Sequence, residues 1–246
     1  MKKTIGIPGY AGRDSKNFGV ANTYLKFASE FGNPRIIMPW EEKVDVDLLL
    51  LPGGLDTAPS NYGQIPSFDT SNQDVFKEFF FKERLKNYIG NTPIFGICLG
   101  FQQLCVYFGS ELKQDLMYHA QSQERGALAH YVYESLIYKD VKDNDTGEMI
   151  YKCVKQKRNH LEFKVNSHHH QAVLSSTISH DLNPLLFAKM YGYDHVSESI
   201  KIENDNVFIV EAMHHRELPI AGVQWHPEEI YDFYSRELIL KLLKGE

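Results

Sequence analysis

The stretch "TPIFGICLGFQQLCVYFG", residues 92–109, decides how this chain is read. Its first part, "PIFGI" (93–97), is apolar and β-prone. Its last part, from Leu99 on, has the composition and periodicity of a helix. Cys98 stands at the crossing, with Gly96 and Gly100 two residues away on either side. A strand that runs straight into a helix is half of a strand–helix–strand unit, so its neighbours should repeat the pattern. They do. "TIGI" (4–7), "RIIM" (35–38) and "VDLLLL" (46–51) read as strands, the last almost continuously apolar, as expected when both faces of a parallel strand are covered. Between them "VANTYLKFASEF" (20–31) has helical spacing and is stopped by Gly32 and Pro34, and "QDVFKEFFFKERLKNYI" (73–89) is a second helix. Alternation at this spacing predicts an α/β fold wound around a parallel sheet, with ligands bound outside the carboxyl ends of the strands. Cys98 falls on that edge.

The second half reads differently. Residues 111–160 mix aromatic and polar residues and are expected to form loops and an antiparallel hairpin region, with turn-like "KDNDTGE" at 142–148. From 162 onward short strands dominate: "EFKVN", "LLFAKMY", "SIKIE", "VFIVEAM" and "IAGVQW". "EEIYDFYSRELILKLLK" (228–244) closes the chain as a helix. No repeat, linker or low-complexity tract divides residues 1–246, which are expected to form a single domain.

The totals restrict the function classes. A chain of 246 residues with 43% hydrophobic and 24% charged residues is an ordinary globular composition. A net charge of −6, from 26 basic and 32 acidic residues, argues against a nucleic-acid partner. The densest basic run, "KCVKQKR" (152–158), reads as a solvated loop face. The start "MKKTIGIPGY" lacks the apolar core of a signal peptide, and no apolar run is long enough to span a bilayer. Cysteines at 98, 105 and 153 form no CxxC pair and no even-numbered framework, which fits a reducing, cytoplasmic compartment.

A nucleophile on a sharp strand-to-helix turn needs small neighbours, because the backbone folds tightly around it; this is the logic of the G-x-S-x-G elbow. Gly96, Cys98 and Gly100 give that arrangement with sulfur. The start of the following helix favours a thiolate and offers free N–H groups, chiefly that of Leu99, to an oxyanion. GxCxG by itself also fits a tight turn around an inert buried cysteine. Cys105 has no such turn and reads as a small core residue. A nucleophilic thiol needs a base, and the base an orienting group. In "AGVQWHPEE" (221–229), His226 follows an apolar strand and Glu228 lies two residues on, on the same side of an extended chain. The same residues also suit a strand end followed by a first helical turn.

Taken together, "PGG" (52–54), "GICLGFQ" (96–102) and "GVQWHPE" (222–228) resemble the class I glutamine amidotransferase-like family of cysteine hydrolases. "LPGGLDTAPSNYG" (51–63), "GSELKQDL" (109–116) and "VNSHHHQAV" (165–173) are similar to its γ-glutamyl-γ-aminobutyrate hydrolase branch. The resemblance implies a flavodoxin-like, largely parallel central sheet flanked by helices, with a smaller antiparallel β region. It implies Cys98 as nucleophile, His226 as acid and base, and Glu228 as orienter. The backbone N–H groups of Gly54 and Leu99 would form the oxyanion hole. Gln102, Ser167 and His169 would hold the γ-glutamyl end of a small-molecule γ-glutamyl amide, with no metal or organic cofactor. Leu99 stands where that branch often has arginine, and leucine there is common among true amidotransferases. His168 stands where the branch commonly has an apolar residue. Two activities follow: a free-standing γ-glutamyl amide hydrolase, or a glutaminase subunit passing ammonia to a separate synthetase. A homo-oligomer is compatible with either.

The remaining histidines carry less. Three consecutive histidines at 168–170 cannot face one point on an extended strand, and no HxxxH pair supports a metal there. His214 and His215 are expected in a turn before "ELPI". One of Phe79, Phe80 and Phe81 must point outward. Asp56 and Asn61, after "PGG", either line the site or sit in a solvated loop.

Overall fold

A computed structural model of the chain describes residues 2–11, 18–133, 136–142, 149–156, 161–194, 199–202 and 207–246. Nine strands form one sheet: β1 (Thr4–Pro8), β2 (Asn33–Ile37), β3 (Leu48–Leu51), β4 (Ile94–Ile97), β5 (His130–Tyr133), β6 (Glu162–Val165), β7 (Leu182–Lys189), β8 (Phe208–His215) and β9 (Ile220–Val223). Their spatial order is β6-β5-β7-β8-β9-β4-β3-β1-β2. From β2 through β1, β3 and β4 to β9 every pairing is parallel, and from β9 to β6 every pairing is antiparallel. The wound parallel sheet expected from the first half is present. The antiparallel strands of the second half extend it, and two-stranded pairs (Leu136–Lys142 with Met149–Gln156, Tyr191–Asp194 with Ser199–Ile202) stand apart from it.

The apolar run of β3 shows why its strand is central. Leu49 and Leu51 face a core that holds Phe101, Leu104 and Cys105, whereas Leu48 and Leu50 face a second core with Tyr24, Phe27 and Ile239. Side chains alternate across a strand, so a strand covered on both faces has no position left for a polar residue. Helix α3 (Leu99–Tyr107) supplies the first core; α1 (Asn22–Ser29) and α4 (Phe233–Lys244) supply the second.

Two helix expectations are corrected. The segment 73–89 forms α2 only over Val75–Phe79, capped by the Asp74 carboxylate, which accepts from the N–H groups of Phe76 and Lys77 at 3.0 and 3.1 Å. It then widens into a π turn over Phe80–Arg84 and tightens over Leu85–Asn87. Phe80 and Phe81 are buried and Phe79 is the one turned outward. The last helix begins at Phe233 rather than at 228. Asp232 caps it by accepting from the Ser235 N–H at 2.7 Å, and residues 228–232 are left free to turn Glu228 inward. Of the turn read at 142–148 all but Lys142, a strand end, lies outside the described residues, as do the end of the basic run at 157–158 and part of the loop after β1. Among the described residues no helix is long and apolar enough to cross a membrane.

Candidate active site

Cys98 lies between the end of β4 and the first residue of α3, at φ 50° and ψ −105°. It is the one non-glycine among the described residues with positive φ. Such a conformation costs on the order of 1–3 kcal/mol and persists only where the surroundings impose it. Here they do. The Cys98 N–H donates to Val223 O at 2.9 Å, and its carbonyl accepts the first helical bond, from Gln102 N–H, at 3.0 Å. The flanking glycines are dictated by contact. A Cβ on Gly96 would lie 2.7 Å from the Gly100 backbone, and one on Gly100 would lie 2.6 Å from Leu51 Cβ and press on the Leu51 carbonyl oxygen. Only bare backbone fits where strand, elbow and helix cross.

His226 reaches this thiol because β9 runs parallel beside β4, with Val223 opposite Ile97, so the two strands end side by side. Beyond β9 the chain is fixed twice. The buried Trp225 indole N–H donates to Asp232 at 3.3 Å. Asn166 clamps the His226 backbone, accepting its N–H at 3.0 Å and donating to its carbonyl at 3.2 Å. Glu228 Oε1 lies 2.7 Å from His226 Nδ1, and the Tyr24 hydroxyl, which accepts from Gly53 N–H at 2.9 Å, lies against the same carboxylate. Burial opposes a charge on His226, but the Cys98 sulfur and the Glu228 carboxylate together hold its imidazole well above the ordinary histidine range.

The Pro52-Gly53-Gly54 turn passes directly beneath this pair. A Cβ on Gly53 would stand 2.8 Å from His226 Cε1 and 3.2 Å from Cys98 Cβ. A Cβ on Gly54 would stand 3.0 Å from Leu99 Cδ2, so the two backbone segments face each other across the elbow. Neither the Gly54 nor the Leu99 amide is committed to another acceptor among the described residues. Two free N–H groups beside a nucleophilic position can stabilise charge on a carbonyl oxygen.

The structure thus brings together Cys98, His226, Glu228, Gly54 and Leu99. The three residues expected at the γ-glutamyl end sit deeper. Gln102 is buried, and its amide donates to Gln171 O at 2.8 Å and to the Gln224 side chain at 3.1 Å, tying α3 to the strands beside it. Ser167 is buried, its hydroxyl has no partner among the described residues, and its N–H donates to Ser122 Oγ at 2.8 Å. His169 turns away toward Glu211, with Nδ1 bonded to Gln171 O at 3.0 Å. Of its neighbours, His168 pairs with Glu229 at 3.2 Å, its ring 5.5 Å from that of His226. His170 bridges Asp56 and Asp115, so Asp56 is buried and tied by side chains and does not sit in a solvated loop. Asn61 donates to Glu78 at 2.8 Å. His214 and His215 end β8, and His215 Nδ1 accepts the N–H groups of Glu217 and Leu218 to hold the turn.

Two residues that sequence reasoning did not single out complete the picture. Asn166 is one; it stands inside "VNSHHHQ" but its clamp spans 60 residues. The other is Lys77. Its buried ammonium donates to the Gly53 carbonyl and lies 3.7 Å over the Tyr10 ring, and burial pushes it down to about 8. In sequence it is one lysine of an amphipathic helix, and only the tertiary fold turns it inward.

A thiol on a strained elbow at the carboxyl edge of a parallel sheet, facing a carboxylate-held imidazole, defines the class: an α/β protein of class I glutamine amidotransferase architecture. The Peptidase C26 family pattern matches residues 14–228, and the chain belongs to that family. Among its relatives is the glutamine amidotransferase-like protein YvdE of Lactococcus lactis subsp. lactis, 28% identical over 219 residues, covering 84% of this chain and 79% of that one. One subunit of the glutamine-hydrolyzing GMP synthase of Methanococcus aeolicus is 28% identical over 152 residues, 62% of this chain and 59% of its own. A GMP synthase subunit from Thermoplasma acidophilum shares the fold, with a TM-score of 0.56 at 15% identity over 99% of this chain and 94% of that one.

Proposed function

We propose that this protein is a cysteine hydrolase that cleaves the γ-glutamyl amide bond of a small γ-glutamyl compound, releasing glutamate and an amine. The observation that carries the reading is the elbow itself: Cys98 in a strained conformation, beside His226 held by Glu228, with two uncommitted amides next to it. In the mechanism, Cys98 sulfur attacks the γ-carbonyl carbon and the electron pair of the C=O moves to oxygen, where the N–H groups of Gly54 and Leu99 receive it. A lost donor in such a hole costs about 2.7–4 kcal/mol of barrier. The intermediate collapses as His226 gives its proton to the departing nitrogen, leaving a γ-glutamyl thioester. His226 then takes a proton from water, the hydroxide adds to the thioester, and the Cys98 sulfur leaves as glutamate forms. Glu228 keeps the imidazole oriented through both steps. Ser167, whose hydroxyl has no partner among the described residues, is assigned to the substrate's glutamyl end, with Gln102 and His169 supporting that wall from behind.

The second reading, a glutaminase subunit serving a separate synthetase, draws on Leu99 after the nucleophile and on the similarity to a GMP synthase subunit. One experiment separates them: glutamate release from γ-glutamyl-γ-aminobutyrate, γ-glutamyl nucleotide amides and glutamine, with Cys98→Ala as control. Cys98-dependent turnover of one amide with glutamine poor is the expected result. Activity on glutamine alone, or only after cell extract is added, would overturn the hydrolase in favour of the glutaminase.

A further inference from the structure

A second cluster of chemistry-bearing side chains lies behind the active site, and of it the mechanism above uses His169 alone, as support for the substrate-end wall. Glu211 is in the middle of β8, fully buried. The ladder of β7 shifts register between Leu186 and Phe187, whose partners are Ala212 and Val210, so Glu211 is the residue passed over. Around its carboxylate stand His130, from the start of β5, and His119 and His169, from two loops. His130 Nε2 lies 3.0 Å from Glu211 Oε1, and His169 Nε2 lies 3.9 Å from the same oxygen. The His119 ring centroid is 4.5 Å from that of His130 and 4.6 Å from that of His169.

What sets the cluster apart is how much bonding capacity it leaves unused. His119 Nε2, His130 Nδ1, His169 Nε2 and Glu211 Oε2 are all buried and have no hydrogen-bond partner among the described residues. His119 is 9% exposed, His169 4% and Glu211 0%. Buried polar atoms are paired in the great majority of cases, so four orphans gathered in one cluster ask for an occupant. One ring nitrogen each from His119 and His130 and one carboxylate oxygen of Glu211 lie within 4.8 Å of one another.

We propose that His119, His130 and Glu211 bind a divalent transition-metal ion of the zinc class, with His169 beside them as a fourth donor. Imidazole nitrogens with one carboxylate suit zinc or cobalt, whereas calcium and magnesium take oxygen sets. Zinc holds nitrogen at about 2.0–2.1 Å and carboxylate oxygen at about 2.0–2.2 Å, so the ligand atoms close inward by roughly 1 Å when the ion binds. Side-chain rotation of the two loop histidines supplies that movement. A metal takes neutral imidazoles and an ionised carboxylate, so binding releases whatever protons these groups carry. The site is enclosed by protein and joins β5, β8 and two loops, so its role is structural: it fastens the antiparallel half of the sheet behind the strand pair that carries Cys98 and His226.

The test uses the tag-free full chain with Cys98→Ser, so that the active-site thiol takes no metal. After dialysis against a chelator, cobalt(II) is titrated in and the visible d–d bands are followed, with zinc stoichiometry and thermal unfolding measured in parallel. We expect one equivalent per chain, the intense bands of a four-coordinate ion, and a zinc-dependent rise in Tm. In His119→Gln the affinity should fall by more than the roughly 10–100-fold that loss of even an outer-shell partner costs. Glu211→Gln should behave alike; if it fails to fold, His119→Gln decides. No metal above background in the parent chain, or equal binding by His119→Gln, overturns the proposal and leaves the cluster a buried hydrogen-bonded pair of His130 and Glu211.

Discussion

Gly100→Ala puts one methyl group where the elbow has no room for it. The new Cβ would stand 2.6 Å from Leu51 Cβ and 2.8 Å from Leu51 C, and press on the Leu51 carbonyl oxygen. Carbon atoms are at ease at about 3.5–4.0 Å, so α3 and β3 must separate by roughly 1 Å. β3 cannot yield, because it is hydrogen-bonded to β1 on one side and to β4 on the other. The helix must therefore move, carrying Phe101, Leu104 and Cys105 out of their packed positions. Overpacking of this kind costs about 1–3 kcal/mol, and three simultaneous close contacts place the substitution at the upper end. At roughly 2–4 °C per kcal/mol for a chain of this size, Tm should fall by about 6–12 °C. The Leu99 amide moves with the helix, and a misplacement of about 1 Å costs on the order of 10²-fold in rate. Calorimetry and glutamate release read the two effects separately. Gly19→Ala is the control, since a Cβ there meets nothing within 4 Å and its φ is ordinary. If Gly100→Ala matched Gly19→Ala in Tm and retained wild-type rate, the steric account of the elbow would be wrong.

Other expectations follow from the same geometry. Glu228→Gln removes the carboxylate beside His226, and a hydrogen bond to a charged group is worth about 1.5–3 kcal/mol, so the alkaline limb of the rate profile should move down by roughly 1–2 units. Because His226 is raised in the folded chain, its stabilisation is complete below about 6.5, its ordinary value, and fades as pH climbs through the raised one. Glu228→Gln should therefore lose stability most at the acidic end of that window, measured by urea unfolding against pH. Lys77→Met removes a buried cation whose ammonium is depressed from 10.5 to about 8, and wild type should gain on the variant by about 3 kcal/mol between pH 8 and 10.5. A stability difference that stays flat over that range would mean Lys77 is not held as described. Asn166→Ala leaves the His226 N–H and carbonyl without their partner, at a cost of about 1–3 kcal/mol and with a lowered kcat; unchanged Tm and kcat would count against the clamp.

Much of this molecule was legible in one dimension. The parallel half of the sheet announces itself in apolar runs such as "VDLLLL", since a strand buried on both faces has no polar position to show. The elbow announces itself in GICLG, since a strand-to-helix crossing excludes side chains on both flanks. His226 and Glu228 are two residues apart, so their pairing is a local matter of an extended chain. Other features were hidden for reasons equally physical. The start of the last helix moved to Phe233 because Glu228 is used by His226, a contact that helical periodicity does not register. Lys77 and Asn166 act on Gly53 and His226 across separations that only the packing of α2 and the antiparallel strands creates. The histidine run at 168–170 scatters to three different partners, and the one that turns inward meets two histidines and a glutamate from elsewhere in the chain. Sequence alone determined which backbone shapes were permitted, because those follow from local sterics and periodicity. The tertiary structure alone decided which distant side chains share a buried space, because burial, not order along the chain, sets what a charged or polar group must find beside it.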